Sequence, residues 1–518
     1  SFGWFLANSN AMDFAAGAGG DVTFRMVGGI LELWVFCGPG PEQVTAQYQE
    51  VVGRPAMPPR WALGFHQSRY GYGSVDELED VVASYNQARI PLDVVWSDID
   101  YTDRARMFTV DPEHYPQQRL RALVDSLHAS GRRWVPILDC GITALPGAGY
   151  EPYERGLSYD VFIKDSGGQP LVGQVWSGPT HWPDFMHPNA TPYWTSLMAE
   201  MYDKLPYDGI WLDMNEPSNF CTGECELPAR RSPSAAAAAA ATEVGAAAAV
   251  AAAAAASGRP AGPLGIACVL QCRQPGWVYD ALSNPPYRVN NGNRHAPLYG
   301  NTLPMTAVGY GGVRQYDAHN LYALAESRVT HAALRSVNPG ARPFILTRSS
   351  WAGQGRYSAH WTGDNTASWD DLRRSPGGLM AASLAGMALA GADVCGFMGA
   401  TNEQLCARWL AAGAFYTFAR DHSDRGSPPQ EPYRWPLVAE AARNALGARY
   451  SLLPYLYTAF YLAHTRGGTV ARPLVWAVPG DPRVTDLSSQ WLLGDALMVA
   501  PVLAPDMDTV NVYFSGPG

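Results

Sequence analysis

The stretch GIWLDMNEPSNF, residues 209–220, joins a buried-looking apolar run to a carboxylate. Ile210, Trp211 and Leu212 are typical of a buried strand, but the run stops at Asp213 rather than at a turn residue. A carboxylate at such a place must be paired with another group or be used in chemistry. This stretch therefore predicts a strand whose end carries a functional acid.

The same pattern, a short apolar run that ends in polar residues, recurs along residues 58–467. Segments such as VDELEDVVASYNQARI separate the runs and have apolar residues three and four positions apart, which indicates helices. Strands that alternate with helices in this way predict an α/β fold, a (β/α)8 TIM barrel. The eight predicted strands lie in WALGFHQSRYG, PLDVVWSDID, WVPILDCGI, DGIWLDMNE, RPFILTRSS, YSAHWTGDN, ADVCGFMG and FYTFARDHS.

Two connections are too long for simple crossovers, so we expect insertions after strands 3 and 4, at about residues 143–192 and 217–315. Residues 1–57 alternate and carry glycines, which predicts the end of an N-terminal β-sandwich domain. Residues 468–518 predict an incomplete C-terminal β-domain, because VARPLVW and QWLLGDALMVAPVL are typical of strands. No signal peptide begins the chain and its first residues resemble a strand interior, so we expect an N-terminal portion to precede them.

Composition excludes some partners. The formal net charge is −10 and the only lysines are Lys164 and Lys204, which argues against nucleic acid as a partner. Residues 235–256 are nearly all alanine, but alanine is barely apolar enough for a membrane span and Glu243 is costly there. We therefore expect a surface insertion and no membrane span.

The eight cysteines include two pairs with a spacing of four, Cys221 with Cys225 and Cys268 with Cys272. This spacing is compatible with a zinc site, but the long low-complexity segment between the pairs favours disulfides in an oxidising compartment. Cys395 and Cys406 form a third local pair. Cys37 and Cys140 lie in apolar surroundings and are predicted to be buried thiols.

Ionisable residues stand at the predicted carboxyl ends of the strands, which form the active face of such barrels. A single aspartate there is often a helix cap. Capping explains this many groups poorly, because like charges on one rim repel and raise each other's pKa. The rim residues are Asp98, Asp139, Asp213, Arg348, Asp364, Asp393 and His422.

Two carboxylates that face each other across a pocket suit glycoside cleavage: one attacks or supports the anomeric carbon and the other protonates the leaving oxygen. Trp211, Trp361 and Trp176 offer flat faces for a sugar ring, although each could equally be a core residue. No diagnostic metal-ligand spacing, GxGxxG or Walker loop is present, so we expect neither a metal nor a cofactor.

Several motifs carry a resemblance to a known family. GIWLDMNEPSNF resembles the nucleophile signature of glycoside hydrolase family 31, and SAHWTGDNTASWDDL resembles its acid/base segment. SDIDYTD, RPFILTRSS, GADVCGF, FARDH and LLPYLYT follow in the family's order, so the resemblance covers essentially the whole chain. The run WLDMNEPSNF is similar to the α-glucosidases: the plant and algal, lysosomal acid and maltase-glucoamylase enzymes.

The resemblance implies a role for each matching residue. Asp213 would be the nucleophile and Asp364 the general acid and then base, while Asp98, Arg348 and His422 would hold sugar hydroxyls. Asp13 would reach the pocket mouth from the N-terminal sandwich, and Cys395–Cys406 would form a disulfide. The residues implied to line the pocket are Ile99, Ile142, Trp176, Trp211, Met214, Trp361 and Phe397, with Asp393 close by.

The implied activity is that of a retaining, exo-acting α-glucosidase on maltose, malto-oligosaccharides and, as a further candidate, starch. Alternatives on the same fold are an α-glucan lyase, an α-xylosidase or a transglucosidase, and from another class an inactive sugar-binding protein. The presence of both acids disfavours the last. The cysteines favour the secretory pathway, with a vacuolar, lysosome-like or extracellular location.

Overall fold

The computed structural model describes residues 1–17, 19–227, 268–273, 281–291 and 295–514, and its centre is a parallel β-barrel. In space, the strands follow the order 7-6-5-4-3-2-1-8. The short seventh strand meets the eighth through a parallel bridge between Val394 and Asp421, and the Val394 N–H donates to the Arg420 carbonyl over 2.9 Å. In chain order the strands are Phe65–Arg69, Val94–Ser97, Arg133–Asp139, Ile210–Asp213, Ile345–Thr347, Ala359–Trp361, Ala390–Gly391 and Ala419–Ser423.

This arrangement confirms the predicted barrel, with one shift in position. The predicted seventh strand began at Ala392, whereas the ladder residues are Ala390–Gly391. The sequence ALAGADVCG has small residues on both sides of the strand, and its apolar pattern therefore does not mark where pairing begins.

Helices surround the barrel and bury one apolar face each. In Val75–Ala88, Leu78, Val81 and Tyr85 are buried at helical spacing, and the Ser74 hydroxyl caps the helix by accepting from the Glu77 N–H over 3.3 Å. The other α-helices described after the first strand are Gln117–Ala129, Glu151–Ser158, Ala190–Lys204, Gln315–Ala318, Tyr322–Val337, Trp369–Leu384, Glu403–Gly413, Pro436–Arg466 and Leu474–Ala477.

The barrel interior is organised around a buried cation, Arg420. Its guanidinium donates to Asp393 Oδ1 over 2.8 Å and lies 4.6 Å from the ring centre of Trp211. The rings of Trp96 and Trp361 are 5.0 and 5.2 Å from the same guanidinium. Arg420 and the aromatic rings around it fill the barrel interior. The ion pair with Asp393 and the cation–π contact fix the orientation of Trp211.

The N-terminal segment consists of two hairpin-like pairs and a helix. Strand Gly3–Leu6 pairs with Leu33–Phe36, and Met12–Ala16 pairs with Val22–Met26. Residues 1–57, predicted to be the end of a β-sandwich domain, also contain an α-helix, Pro41–Val52. Proline at its first position, Glu42 in its first turn and a Gly40 N–H that donates to the Gln43 side chain over 3.1 Å explain why it begins there.

The C-terminal segment contains the antiparallel sheet Ala471–Pro473, Trp491–Leu493 and Leu497–Val499. Insertion strands Ile142–Thr143, Gly173–Val175 and Gly178–His181 form another antiparallel sheet next to the third barrel strand. The alanine tract at 235–256 lies outside the described residues. Among the residues that the structure describes, no helix combines the length and apolar character needed to cross a membrane.

Three disulfides cross-link the described part of the chain: Cys221–Cys268, Cys225–Cys272 and Cys395–Cys406. The first two flank the short pairing of Glu224–Cys225 with Cys272–Arg273. Cys140 is a buried thiol as predicted, but Cys37 is exposed, because it follows the largely exposed strand Leu33–Phe36.

We expect the denatured, unreduced protein to titrate two thiols, those of Cys37 and Cys140. Peptide mapping without reduction should recover the three linked pairs. The four sulfur atoms of Cys221, Cys225, Cys268 and Cys272 lie within 4.8 Å of one another, so a metal-held cluster is the alternative. In that case, these four thiols would also titrate after denaturation and chelation.

Candidate active site

A cavity of about 320 Å³ opens at the carboxyl end of the barrel strands. Carboxyl, guanidinium and imidazole groups share it with aromatic and aliphatic side chains, a mixture typical of a site for a polar ligand with apolar faces. Its lining residues are Tyr70, Asp98, Ile99, Ile137, Asp139, Trp176, Trp211, Asp213, Met214, Arg348, Asp364, Phe397, Met398, His422 and Asp424.

Asp213 ends the fourth strand and is held by two donors. Arg348, which directly follows the fifth strand, places Nη1 3.0 Å from Asp213 Oδ1. The Met214 N–H donates to the same oxygen over 2.7 Å, in a backbone turn where Met214 has a φ of 57°. The side chain of Asp213 is 15% exposed, so it meets the cavity from a fixed orientation.

Asp364, three residues beyond the sixth strand, faces the same guanidinium. Its Oδ2 lies 4.0 Å from Arg348 Nη1, and its side chain is 30% exposed. Because one nitrogen is 3.0 Å from Asp213 and 4.0 Å from Asp364, these two carboxyl oxygens are at most about 7 Å apart. The two acids therefore flank one small volume. The upper limit on their separation is compatible with the distance of about 5–5.5 Å between the two carboxyl groups of retaining glycosidases.

Glu216 clamps Arg348 from the other side. Arg348 Nε donates to Glu216 Oε1 over 2.7 Å and Nη2 donates to Oε2 over 3.2 Å, a bidentate pair. Burial raises the pKa of Glu216, but the charge of Arg348 and the Ser218 hydroxyl outweigh it and hold that pKa below its ordinary value. These contacts favour the ionised form of Glu216, which holds the guanidinium next to Asp213 and Asp364.

The electrostatics of the two facing acids are coupled. Burial raises the pKa of Asp213 to about 6, with Arg348 opposing and Asp364 adding to the rise. Burial also raises the pKa of Asp364, and the charges of Arg348 and Arg420 oppose it. The closer contact of Arg348 with Asp213 favours the ionised form of Asp213, so Asp364 is the better placed of the two acids to hold a proton.

Asp98 and His422 face each other on the opposite wall. His422 Nε2 lies 3.7 Å from Asp98 Oδ2, and the His422 ring stacks on Phe397 with ring centres 4.8 Å apart. Burial and the charge of Arg420 lower the pKa of His422 well below its ordinary value, so the imidazole is neutral. Burial and the charge of Asp100 raise the pKa of Asp98. Both groups can exchange hydrogen bonds with hydroxyls.

Aromatic side chains form the outer wall. The ring centres of Tyr70 and Trp176 are 6.2 Å apart, and Trp176 meets Phe220 edge-to-face at 5.0 Å. Such a wall offers flat apolar faces next to the acids, as the C–H face of a sugar ring requires.

Four of the residues singled out from the sequence lie outside the cavity lining. Trp361 is buried behind Trp211, with ring centres 5.6 Å apart, and Asp393 is buried in its ion pair with Arg420. Ile142 is fully buried in the sheet of the third-strand insertion. Asp13 accepts from the Asn290 N–H over 3.0 Å and faces Arg25 at 3.8 Å.

Sequence reasoning did not single out Tyr70, Ile137, Met398, Asp424 or the clamp residue Glu216. Tyr70 and Asp424 each directly follow a barrel strand, which was an available signal. Ile137 lies inside a strand, and only its inward direction brings it to the cavity. Glu216 stands within the opening motif, but nothing local identifies Arg348 as its partner.

Comparison with protein-family profiles finds the Glycosyl hydrolases family 31 TIM-barrel domain at residues 55–459. The Glycosyl hydrolase family 31 C-terminal domain matches residues 467–518. Among solved structures, the crystal structure of a glucosidase II alpha subunit superposes with a TM-score of 0.79 and 29% identity. The match covers 99% of this chain and 49% of that one.

Two curated plant proteins are similar over nearly the whole chain. A protein of Oryza sativa subsp. japonica named "Probable alpha-glucosidase" is 44% identical, over 99% of this chain and 51% of its own length. "Alpha-xylosidase 1" of Arabidopsis thaliana is 40% identical, over 98% of this chain and 52% of its own. The chain spans about half the length of these relatives. The chain belongs to glycoside hydrolase family 31, because the family profile matches residues 55–459 and the relatives are similar over nearly the whole chain.

Proposed function

We propose that this barrel is the catalytic part of a retaining, exo-acting α-glucosidase that releases α-glucose from maltose and malto-oligosaccharides. The supporting observation is that one guanidinium nitrogen lies 3.0 Å from Asp213 and 4.0 Å from Asp364 in the cavity at the active end of the barrel. The similarity to the rice α-glucosidase homologue supports the choice of sugar.

In the first step, an Asp213 oxygen attacks the anomeric carbon while Asp364 gives its proton to the leaving oxygen, so that a glycosyl ester forms and the glycosidic bond breaks. Loss of the Asp213 charge then lowers the pKa of Asp364, which is free to act as a base. In the second step, Asp364 takes a proton from water, the water oxygen attacks the same carbon and the Asp213 ester bond breaks. Two inversions leave the product in the α configuration.

The remaining lining residues bind the sugar in this proposal. Asp98, Arg348 and the neutral His422 exchange hydrogen bonds with its hydroxyls, while Trp176, Phe397 and Met214 cover its apolar faces. Trp211, which lines the cavity, packs against the buried Arg420 at 4.6 Å. This filled barrel interior supports a site for a chain end rather than for the middle of a glucan, and hence exo action.

Product analysis by NMR with maltose tests the proposal. The first product should be α-glucose, which mutarotates later, and two glucoses should appear for each maltose. Anhydrofructose would indicate a lyase, and longer oligosaccharides a transglucosidase. Because "Alpha-xylosidase 1" is 40% identical, aryl α-xyloside is the matched rival substrate. Faster turnover of the xyloside than of the glucoside would overturn the choice of glucose.

The clamp residue gives a pH prediction. In Glu216→Gln the amide still accepts from Arg348 but loses its charge, and kcat/KM should fall roughly 10- to 100-fold with the loss of a charged hydrogen bond. The Glu216 charge raises the pKa of Asp213, so its removal lowers that pKa. Asp213 then stays ionised at lower pH, and the acid limb of kcat/KM should move to lower pH.

The control for this variant is Glu151→Gln, which removes the exposed partner of Arg155, 2.9 Å away on the same helix. Both limbs of its pH profile should match the wild type. An acid limb that is unchanged or moves to higher pH in Glu216→Gln would show that the Glu216 charge does not act on the nucleophile.

We further infer an oxidising location in the secretory pathway, since three cysteine pairs lie at disulfide distance in the described residues. A vacuole, a lysosome-like compartment and the cell exterior all meet this condition. Immunolocalisation of the full-length protein distinguishes them, and a cytosolic location with reduced thiols would contradict the inference.

A further inference from the structure

A buried carboxyl group, Glu326, lies beneath the catalytic loops without lining the cavity. It belongs to the helix Tyr322–Val337 and is 0% exposed. Its Oε2 accepts a hydrogen bond from Asn215 Nδ2 over 2.8 Å. Asn215 lies two residues after the proposed nucleophile, Asp213. The Glu326 carboxyl group therefore contacts the loop that carries the nucleophile, but it does so from outside the cavity.

Asn215 in turn joins the two loops that carry the proposed nucleophile and its cation. Its Nδ2 also donates to Thr347 Oγ1 over 2.8 Å, and its Oδ1 accepts from the Ser349 N–H over 3.1 Å. Thr347 and Ser349 stand on either side of Arg348 in the sequence. A single amide therefore holds the residues on both sides of Arg348, by the Thr347 side chain and the Ser349 backbone.

Both N–H groups of this amide and its carbonyl oxygen are hydrogen-bonded. Asn215 has two N–H donors and one carbonyl acceptor, and both donors and the acceptor are engaged with Glu326, Thr347 and Ser349. Asn215 is itself 0% exposed. Loss of the Glu326 carboxyl would leave one buried N–H without a partner, and the amide would be free to turn away from Ser349.

We propose that Glu326 is a positioning residue for the reaction, acting through Asn215 to hold Asp213 and Arg348 in the geometry in which the guanidinium contacts both acids. The inference rests on the proposed function. A second buried contact on the same loop supports it: the Cys140 thiol donates to the Met214 carbonyl over 3.1 Å and so restrains the turn after Asp213 from the neighbouring strand.

The neutral form of the carboxyl group suits this role. Burial raises the pKa of Glu326 well above its ordinary value; the Asn215 N–H opposes this, and the charges of Asp139, Asp213 and Glu216 add to it. Its Oε1 has no hydrogen-bond partner among the described residues, so the group is not stabilised as an anion by a cation of its own. Glutamine reproduces the neutral carboxyl in size and retains the acceptor oxygen.

The test compares Glu326→Gln, Glu326→Asp and Glu326→Leu in the full-length enzyme, with glucose release from maltose as the assay. Glu326→Gln should keep kcat within about threefold of the wild type, with both limbs of the pH profile in place. Glu326→Asp, one methylene shorter, and Glu326→Leu should each lower kcat about tenfold or more with a smaller change in KM, because the reacting groups lose their alignment.

Thr330→Ala is the matched control. Thr330 lies one turn further along the helix, is equally buried, and its hydroxyl accepts from Trp194 Nε1 over 3.0 Å, away from both catalytic loops. This variant should lower the melting temperature, as the Glu326 variants do, but leave kcat unchanged. A purely structural role for Glu326 would give equal kcat for variants of equal melting temperature.

A double-mutant cycle with Asn215→Ala identifies the path. If Glu326 acts through Asn215, adding Glu326→Leu to Asn215→Ala should cause little further loss of kcat. Losses that multiply would overturn the inference, as would a shift of the acid limb to lower pH in Glu326→Gln, which would show that Glu326 is a charged group. Failure of the wild type to release glucose would instead refute the proposed function.

Discussion

Replacing Asp213 with asparagine should reduce turnover of maltose by about 10⁴-fold or more, the scale of loss when a nucleophile is removed. The amide has nearly the same shape as the carboxyl and can accept from Arg348 and the Met214 N–H, so the fold and the cavity should survive. It cannot form the glycosyl ester. Steady-state rates with maltose and with an aryl α-glucoside measure the loss, and a melting temperature close to that of the wild type excludes unfolding.

Trapping gives the positive half of this prediction. A fluorinated glucosyl fluoride should label the wild type on the peptide that contains Asp213, and Asp213→Asn should remain unlabelled. The control is Asp421→Asn, which alters a fully buried carboxyl in the eighth strand that is bonded to Gln430 over 2.8 Å and does not line the cavity. This variant should lose stability but still form the ester. Label on Asp364 or Asp139 would move the nucleophile to another strand.

Much of this site was predictable because its signals are local. The second to fifth barrel strands each contain a short apolar run that a polar residue follows, so the same few residues indicate both the strand and its active end. Asp98, Asp213 and Arg348 each stand at or directly after a strand end, and the structure places all three at the cavity. The parallel barrel then brings strand ends together whatever the loops between them do.

The partnerships within the site were not predictable, since they depend on distance in space. Glu216 and Arg348, which share two hydrogen bonds, are separated by 132 positions in the sequence, and no periodic pattern links them. Trp361 illustrates the same limit: it was expected in the pocket, but it is buried against Trp211, with ring centres 5.6 Å apart, and only Trp211 of the two lines the cavity. The curvature and closure of the barrel decide which of two neighbouring tryptophans faces the ligand.

The cysteines show a third limit. Four cysteines allow three pairings, and their spacing of four on both sides of the insertion leaves the choice open. In the structure, each cysteine of the first pair bonds its counterpart 47 positions later, so that the two bridges run side by side. The register of the short ladder between residues 224–225 and 272–273 sets Cys225 opposite Cys272, and Cys221 and Cys268 are then left to bond each other.

Asp364→Ala should separate substrates by the leaving group. Maltose departs as a sugar alkoxide unless it is protonated, so its kcat/KM should fall about 10²- to 10⁴-fold, the usual contribution of a general acid. An aryl α-glucoside with an acidic phenol needs little protonation, and its kcat/KM should fall far less. Met398→Ala is the control, because Met398 lines the same cavity but carries no charge that acts on Asp364. It should affect both substrates alike.

Azide tests the stereochemistry of the same assignment. In Asp364→Ala the glycosyl ester on Asp213 still forms from the aryl substrate, and azide, which needs no general base, should attack it and accelerate turnover. The ester has the β configuration, so this attack yields α-glucosyl azide. With the nucleophile removed, azide would instead displace the aryl group directly and yield the β anomer. An α-azide from Asp364→Ala and a β-azide from Asp213→Gly can arise together only if Asp213 carries the ester and Asp364 handles the protons. The opposite pair of products would exchange the two roles, and equal losses for maltose and the aryl glucoside would remove Asp364 from proton transfer altogether.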